Sequence, residues 1–306
     1  MILCCGEALI DMLPRTTNAG ETVFVPTPGG AVFNTAIALG RLGVEAGFYS
    51  GLSSDFFGEI LRDFLNESHV DSQLATISDR PTTLAFVRFV DGQARYAFYD
   101  ENTAGRMLET TDLPKLPDHI KTLFFGGISL VSEPCGSAYE ALMLRERHRT
   151  TMMDPNIRPS FVTNEPAYRA RLDRMMAQAD ILKLSDDDLR WLNGEGDLAK
   201  QAQDLITKGS KLVLITQGAK GATAYTARHR VFVPATAAQV VDTVGAGDTF
   251  NAGVLASLSM QGLLDQHALQ RISEPALTAA LTYGIRAAAI TVARAGANPP
   301  WKKELK

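Results

Sequence analysis

The segment Asp242–Phe250 (DTVGAGDTF) places a carboxylate directly after two glycines and at the start of an apolar stretch. Gly245 and Gly247 allow the backbone to turn tightly and to bring N–H groups close to a ligand. The stretch Phe250–Leu258 is predicted to be helical, and a helix start adds unpaired N–H donors and partial positive charge. This pattern predicts a cradle for an anion, suited to the charge that develops on a transferring phosphoryl group.

Asp248 stands at the mouth of this cradle. As a general base, its carboxylate could take the proton of an attacking hydroxyl. The alternative is that Asp248 is the N-cap of the following helix and that the glycines only form a turn. The segment is neither GxxxxGK[ST] nor GxGxxG, which argues against a Walker A loop and against a dinucleotide site.

Composition narrows the function classes. The chain has 306 residues, is 45% hydrophobic, and carries a net charge of −4, which argues against a broad nucleic-acid interface. The sequence predicts no membrane span and no secretory signal. Its three cysteines (Cys4, Cys5 and Cys135) argue against a disulfide framework and favour the reducing cytoplasm. Its scattered histidines give little support to a zinc site.

Short apolar runs alternate with amphipathic stretches along the chain. The predicted buried strands are Ile2–Cys5, Thr122–Phe125, Thr151–Met153, Ile181–Leu184 and Leu212–Thr216. The predicted helices are Asn34–Leu42, Phe57–Ser68, Pro166–Gln178, Leu198–Lys208 and Thr249–Met260. This alternation predicts a mostly parallel sheet covered by helices on both faces, with ligands at the carboxyl ends of the strands.

Two segments differ from this pattern because polar and apolar residues interleave in them. They are Glu21–Val25 and Thr82–Tyr99, and the pair Asp91-Gly92 in the second predicts a hairpin turn. We expect these segments to form a small β lid over the site. An antiparallel extension of the main sheet is an equal alternative on this pattern alone.

Several motifs together resemble the ribokinase-like (PfkB) family of sugar kinases across nearly the whole chain. Besides Asp242–Phe250, they are Gly29–Asn34 (GGAVFN), Gly51–Gly58 with Ser54 where a glycine is usual, Thr216–Gly221 (TQGAKG) and Ala287–Trp301. The resemblance implies a ribokinase-like three-layer α/β/α sandwich with a mostly parallel central sheet. It also implies a single kinase domain over residues 1–306, with lid segments near 12–28 and 82–100.

Within this family, Gly6–Met12 (GEALIDM) and Asp154–Pro159 (DPNIRP) are similar to bacterial fructokinases. The resemblance therefore implies transfer of phosphate from ATP to D-fructose, giving ADP and D-fructose 6-phosphate. 2-Keto-3-deoxygluconate, ribose and a nucleoside are alternative acceptors. A sugar sensor without enzymatic activity is a further alternative, although such a sensor would not need Asp248.

The resemblance also implies roles for individual residues in catalysis and sugar binding. The predicted catalytic set is Asp248 as the base, the amides of Gly245, Ala246, Gly247 and Asp248 as the anion hole, and Arg158 as a bridge to the transferring phosphate. The predicted sugar-binding set is Asp11, Gly29, Gly30, Asn34, Phe98 and Asp248, with Tyr99 beside Phe98. Alternative roles are a helix cap for Asn34 and a surface ion pair for Arg158.

Asp100 stands where related sugar kinases often have Arg, and its charge disfavours an anionic sugar acid as substrate.

For ATP, the implied contacts are Lys183, Ser185, Thr216, Gly218 and Gly221, together with Gly245 and Gly247. A plain turn between two strands is the alternative for Thr216–Gly221. Asp188 stands where the family has Glu in its NxxE motif, so Mg²⁺ is expected to be held largely by ATP phosphates and water. Asp242 and the carbonyl of Val244 match the family's K⁺ site. The resemblance leaves open a homodimer formed through the lid.

Overall fold

The computed structural model describes residues 1–90 and 93–305, so the predicted hairpin turn at Asp91-Gly92 lies outside the described residues. The strands are β1 (Ile2–Cys5), β2 (Leu9–Thr16), β3 (Thr22–Gly29), β4 (Ala46–Tyr49), β5 (Gly51–Ser53), β6 (Val70–Asp71), β7 (Thr76–Ser78), β8 (Leu84–Val90), β9 (Gln93–Tyr99), β10 (Thr122–Gly126), β11 (Thr150–Asp154), β12 (Ile181–Ser185), β13 (Leu212–Thr216), β14 (Gly221–Tyr225) and β15 (Arg230–Pro234). The helices are α1 (Ala31–Arg41), α2 (Phe56–Glu67), α3 (Cys135–Arg145), α4 (Glu165–Met176), α5 (Asp186–Asn193), α6 (Leu198–Thr207), α7 (Ala246–Met260), α8 (Gln266–Gln270) and α9 (Glu274–Val292).

Within the described ranges, the central sheet has nine strands in the order β15-β14-β13-β12-β11-β10-β1-β4-β6. All neighbouring pairs from β13 to β6 are parallel, and β14 and β15 add an antiparallel edge. The predicted mostly parallel sheet is confirmed. The strand order runs in opposite directions on the two sides of β1, and a ligand crevice is expected at such a switch point.

The core lies on both faces of this sheet, because successive side chains of each strand point to opposite sides. In β1, Ile2 and Cys4 pack into one core together with α1 and α7, whereas Leu3 and Cys5 pack into the other together with α3 and α4. This arrangement explains why the parallel strands read as continuous apolar runs.

Helix α9 is long and apolar enough to cross a membrane by length and composition. It packs against α7, and a Cβ at Gly253 of α7 would lie 2.6 Å from the Cα of Gly284 of α9. Glycine at both positions therefore lets the two backbones approach closely. A core helix passes the same length test, so α9 is weak support for a span.

Strands β2, β3, β8 and β9 form a separate sheet in the order β3-β2-β8-β9. The alternative of an antiparallel extension of the main sheet is therefore wrong. Strand β3 ends at Gly29, and Gly30 is already the N-cap of α1. Helix α1 starts at Ala31, ahead of the predicted start at Asn34, because a glycine with φ of 109° occupies the cap position.

Candidate active site

A cleft of about 520 Å³ lies at the carboxyl ends of β1, β10 and β11 and against the four-stranded sheet. The predicted residues that line it are Asp11, Gly30, Asn34, Phe98, Arg158, Val244, Gly245, Gly247 and Asp248. Glu7 and Gly127, which follow β1 and β10, line it at the switch point of the sheet. The structure thus brings together residues from distant parts of the sequence at the position where this fold class binds ligands.

Asp248 lies in the first turn of α7 and is buried. The N-cap of α7 is Gly245, so the alternative that Asp248 is the N-cap is wrong. The Asn34 amide donates a hydrogen bond from Nδ2 to Oδ2 of Asp248 over 2.9 Å. Because Asn34 lies inside α1 and uses its side chain in this contact, the capping alternative for Asn34 is also wrong.

Burial raises the pKa of the Asp248 carboxyl to about 7. The hydrogen bond from Asn34 opposes this rise, the negative charge of Asp154 adds to it, and the positive charge of Lys183 opposes it. A carboxylate with a pKa near 7 is a stronger base than an exposed aspartate and is still deprotonated in a large fraction of molecules at neutral pH. The site can therefore accept a proton from a bound hydroxyl.

The turn before α7 presents backbone donors to the same cleft. Gly245 has φ of 76°, and a Cβ there would lie 2.7 Å from the Cβ of Ala297, so both conformation and space require glycine. The N–H of Ala246 donates to the carbonyl of Thr243 over 3.3 Å. The amides of Gly245, Gly247 and Asp248 make no hydrogen bond within the described residues, which leaves them available to an anion. The Ala246 amide is used within the turn, and its role in the anion hole stays a prediction.

Asp11 approaches the cleft from β2, where it pairs with Thr27 of β3. Burial raises the pKa of Asp11 to about 6. A Cβ at Gly29 would lie 2.3 Å from Oδ2 of Asp11. The absence of a side chain at Gly29 is therefore what leaves room for the Asp11 carboxylate, while Gly29 itself does not line the cleft.

Glu7 is a site residue that the sequence reasoning did not select. Its Oε1 accepts a hydrogen bond from the N–H of Ala31 over 2.9 Å, and its Oε2 accepts one from the N–H of Ser129 over 3.2 Å. Burial raises the pKa of Glu7, and these backbone donors oppose the rise. Glu7 thus ties the end of β1 to the start of α1 and to the turn after β10. A charged residue two positions after a buried strand was the available signal.

Arg158, the predicted bridge to the phosphate, and Phe98, a predicted wall of the sugar pocket, both line the cleft. The Arg158 guanidinium donates to the carbonyl of Ile157 over 3.1 Å and is exposed. Across the described chain, no carboxylate pairs with it, so the alternative of a surface ion pair is wrong. The ring of Phe98 packs edge-on against that of Phe161 at 4.2 Å, whereas Tyr99 is exposed on the other side of the strand.

Lys183 and Ser185, which are predicted to contact ATP, make hydrogen bonds within the protein. Lys183 is 5% exposed, and its Nζ donates to Oδ2 of Asp154 over 2.9 Å. Ser185 is the N-cap of α5, and its Oγ accepts a hydrogen bond from the N–H of Asp188 over 3.0 Å. The Asp188 carboxylate in turn accepts from the backbone of Ser185 and Ile157. The Ser185 hydroxyl is used in the cap of α5, whereas the Lys183 ammonium carries three N–H donors, so contact of Lys183 and Ser185 with ATP stays a prediction.

The remaining predicted nucleotide residues lie on a turn at the sheet edge. Thr216 ends β13, Gly218 is exposed with φ of 52°, and Gly221 begins β14 with φ of 121°. A Cβ at Gly221 would lie 2.3 Å from the carbonyl oxygen of Val233. The strand–turn–strand geometry is what the alternative predicted, and contact with ATP stays a prediction.

The Asp242 loop is held by its own carboxylate. Oδ1 of Asp242 accepts from the N–H of Val244, and Oδ2 accepts from the N–H of Gly296, each over 3.0 Å. In the described ranges, no group of three or more His, Cys, Asp or Glu side chains is arranged to hold a metal ion. A cation here would depend mainly on backbone carbonyl oxygens.

Asp100 does not present an unpaired negative charge, contrary to the prediction that its charge disfavours an anionic substrate. Arg106 forms an ion pair with Asp100, with Nη1 and Oδ1 3.0 Å apart, so a neighbouring cation offsets this carboxylate. The carboxylates that line the cleft are instead those of Glu7, Asp11 and Asp248, and Arg158 is the cation among its described lining residues.

Comparison with known proteins agrees with this geometry. The family model described as pfkB family carbohydrate kinase matches residues 1–304. A fructokinase of Rhizobium leguminosarum bv. trifolii is 54% identical over 278 residues, which are 90% of this chain and 85% of that protein. The crystal structure of a Xylella fastidiosa fructokinase with bound ATP superposes with a TM-score of 0.90 at 29% identity, over 99% of this chain and 96% of that one.

A Vibrio cholerae fructokinase double mutant, crystallised with fructose, ADP and potassium ion, superposes with a TM-score of 0.84 at 25% identity, over 97% of this chain and 93% of that one. The match to the family model extends over nearly all of the sequence, and the glycine turn, the buried aspartate and the four-stranded sheet lie around one cleft. The chain therefore belongs to the pfkB family of carbohydrate kinases, which are phosphotransferases acting on an alcohol group.

Proposed function

We propose that this protein is a fructokinase that transfers the γ-phosphoryl group of ATP to D-fructose and releases ADP and D-fructose 6-phosphate. The observation that carries the proposal is the buried Asp248 carboxylate, which faces the cleft beside the partner-free amides of Gly245 and Gly247. The 54% identity to a bacterial fructokinase supports fructose as the acceptor.

In the proposed reaction, Asp248 takes the proton of the attacking hydroxyl as the oxygen–phosphorus bond forms. Asn34 holds the carboxylate in place through its 2.9 Å hydrogen bond. The amides of Gly245, Gly247 and Asp248 stabilise negative charge on the transferring group, and Arg158, which lines the same cleft, bridges to that group. Positioning and electrostatics supply most of the rate enhancement for this reaction class.

The charges of the cleft favour a neutral sugar as acceptor. Glu7, Asp11 and Asp248 carry carboxyl groups into it, and Asp11 is placed to accept hydrogen bonds from sugar hydroxyls. A carboxylate-bearing acceptor such as 2-keto-3-deoxygluconate would be repelled by these groups. The ring of Phe98 supplies an apolar wall, and the four-stranded sheet acts as a lid that excludes water during transfer.

The nucleotide is expected to bring its own Mg²⁺. Since no acidic cluster fit for a metal exists in the described ranges, Mg²⁺ is held by ATP phosphates and water. The Vibrio cholerae fructokinase structure with bound potassium ion supports K⁺ as a further ligand, which the carbonyl of Val244 beside Asp242 would help to bind. Such an ion would add positive charge behind the anion cradle.

An acceptor panel tests the proposal. ADP release is measured with ATP and Mg²⁺ against D-fructose, 2-keto-3-deoxygluconate, D-ribose and a nucleoside in parallel, with Asp248→Asn as the control. Fructose should give the highest kcat/KM. A higher kcat/KM for another acceptor would reassign the substrate, and binding of sugar without ADP release would favour the sensor.

We also propose that two copies pair through the lid, and that the protein acts in the cytoplasm. Phe24, Phe86 and Tyr99 form a row of edge-on rings across the lid, with centroids 5.1 and 5.5 Å apart. Phe24 is 43% and Tyr99 61% exposed, and together with Phe86 they form a contiguous patch of rings of the kind that marks an interaction surface. The free, buried cysteines Cys4, Cys5 and Cys135 suit a reducing compartment.

Light scattering at several concentrations tests the pairing. Phe24→Glu should shift the protein to the monomer, whereas Phe232→Glu, at an exposed position on β15, should not. A wild-type protein that stays monomeric at high concentration would contradict the proposal.

A further inference from the structure

A buried ion pair lies directly behind the Asp248 base. Asn251 is one helical turn after Asp248 on the same face of α7, and its Nδ2 donates to Oδ2 of Asp154 over 2.7 Å. The same oxygen accepts a hydrogen bond from Nζ of Lys183 over 2.9 Å. Asn251, Asp154 and Lys183 are 1%, 2% and 5% exposed, respectively.

This group connects α7 to two neighbouring parallel strands. Asp154 is the last residue of β11, and Lys183 lies within β12. A Cβ at Gly247 would lie 3.3 Å from Nζ of Lys183, so the ammonium group is adjacent to the anion cradle. Burial disfavours the charged ammonium, but Asp154, Asp188 and Asp248 outweigh this effect and raise the pKa of Lys183. Lys183 therefore carries a positive charge.

Stability alone does not account for this arrangement. Replacing a buried ion pair by apolar residues of similar volume is often neutral or stabilising. In addition, Oδ1 of Asn251 is buried and finds no hydrogen-bond donor among the described residues, which is unfavourable. The adjacency of the pair to Gly247 and Asp248 points to a role in the chemistry.

We propose that Lys183 and Asp154 are positioning residues that set the basicity of Asp248 in opposite directions and hold the first turn of α7 in place. The proposal rests on the phosphotransfer function proposed above. Asp248 is faced by Asn34 from α1, by Glu7 after β1, by Asp154 from β11 and by Lys183 from β12, and Asp11 and Arg158 lie on the other walls of its cleft. Of these, Lys183 favours the ionised base, whereas Asp154 and Glu7 disfavour it.

The test compares Lys183→Met, Asp154→Asn and the double variant by the pH dependence of kcat/KM for fructose. The acidic limb is the part of this pH profile in which kcat/KM rises as Asp248 ionises. Lys183→Met should move the acidic limb to higher pH, and Asp154→Asn should move it to lower pH, each by roughly one pH unit. The double variant should lie between the two single variants, because the two charges act on Asp248 in opposite directions. A limb that stays in place in both single variants would overturn the proposal.

A matched control is available in Lys211, which forms an ion pair with the buried carboxylate of Asp180 at the other end of β12 and β13. Lys211→Met should lower the melting temperature without moving the limb. If Lys183→Met instead raises KM for ATP and leaves the limb in place, Lys183 is a direct ATP ligand and the proposal is wrong.

A second readout does not depend on the kinase reaction. The carboxyl carbon of Asp248, identified by the signal lost in Asp248→Asn, is titrated by NMR in each variant. Its midpoint should shift in the same opposite directions. If the midpoints shift but no sugar is phosphorylated, the proposed function is wrong and the effect of Lys183 and Asp154 on Asp248 stands. If fructose is phosphorylated but the midpoints do not shift, the proposed function stands and the effect of Lys183 and Asp154 is refuted.

Discussion

The amide of Asn34 donates to the carboxylate of Asp248 over 2.9 Å and joins two helices whose contacting residues are 214 positions apart in the sequence. Asn34 comes from the glycine motif beside the lid, and Asp248 comes from the phosphate turn. Because Asn34 lies on α1, this hydrogen bond makes the orientation of the Asp248 carboxylate depend on the position of α1.

Replacement of Asp248 by Asn should lower kcat for fructose by about 10²–10⁴-fold or more, because general-base catalysis contributes on this order. Nucleotide affinity should change little, since the amides of the cradle remain. Steady-state kinetics and calorimetric titration with an ATP analogue measure the two effects. Turnover close to wild type would exclude the role of Asp248 as the base.

The activity of the wild-type protein should depend on pH through Asp248. Because its pKa is raised to about 7, the ionised base accumulates as the pH rises through that value. We expect kcat/KM for fructose to increase from pH 5.5 to about 7.5 and then to level off. A profile without an inflection in this range would contradict the assignment.

Asn34→Ala should move this inflection to higher pH. The hydrogen bond from Asn34 lowers the pKa of Asp248, so its loss leaves burial less opposed. The pH profile of kcat/KM for Asn34→Ala measures the shift, and Asn66→Ala at an exposed site on α2 serves as the control. An unshifted profile with normal kcat would show that the contact has no part in catalysis.

Asp248 should also make the protein less stable at alkaline pH. Its pKa in the folded state, about 7, lies above the usual value of 3.8, so the folded state holds this proton more tightly than the unfolded chain. The resulting stability is present at low pH and is lost as the pH rises through 7. Thermal melts of Asp248→Asn should therefore show a larger gain over wild type at pH 8 than at pH 5. Equal gains at both values would contradict the raised pKa.

Gly29→Ala should weaken sugar binding selectively. The new methyl group would lie 2.3 Å from Oδ2 of Asp11 and would displace that carboxylate. We expect KM for fructose to rise at least about tenfold, equivalent to roughly 1.4 kcal/mol, with KM for ATP nearly unchanged. Gly105→Ala is the control, because a methyl group there comes no closer than 3.5 Å to its neighbours. A KM for fructose that rises equally in both variants would argue against a specific effect on Asp11.

Much of the fold was predictable because its signals are local. The apolar runs of β1 and β13 gave their bounds correctly, since a strand buried on both faces must be apolar throughout. The position of Asp248 beside Gly245 and Gly247 was likewise predictable, because all three residues lie in the single segment Asp242–Phe250. The bounds of α1 were less accurate, because Asn34 resembled a capping residue while Gly30 occupies the cap.

The rest depended on contacts between residues far apart in sequence. Glu7 joins backbone groups 24 and 122 positions away, and nothing near Glu7 in the sequence indicates those partners. Lys183 was implied as an ATP contact by the family resemblance alone. Its buried pairing with Asp154 requires the register of two neighbouring strands, which periodicity alone does not provide.

Strand β3 of the lid is joined to α1, the helix that bears Asn34, by the single residue Gly30, so no loop separates them. A displacement of the lid therefore reaches the helix that bears Asn34 through Gly30 alone. Binding of the acceptor under the lid and alignment of the Asp248 base are therefore coupled, which limits ATP hydrolysis while the cleft is open. An inserted residue at this joint would uncouple the two and would be expected to raise ATP hydrolysis relative to sugar phosphorylation.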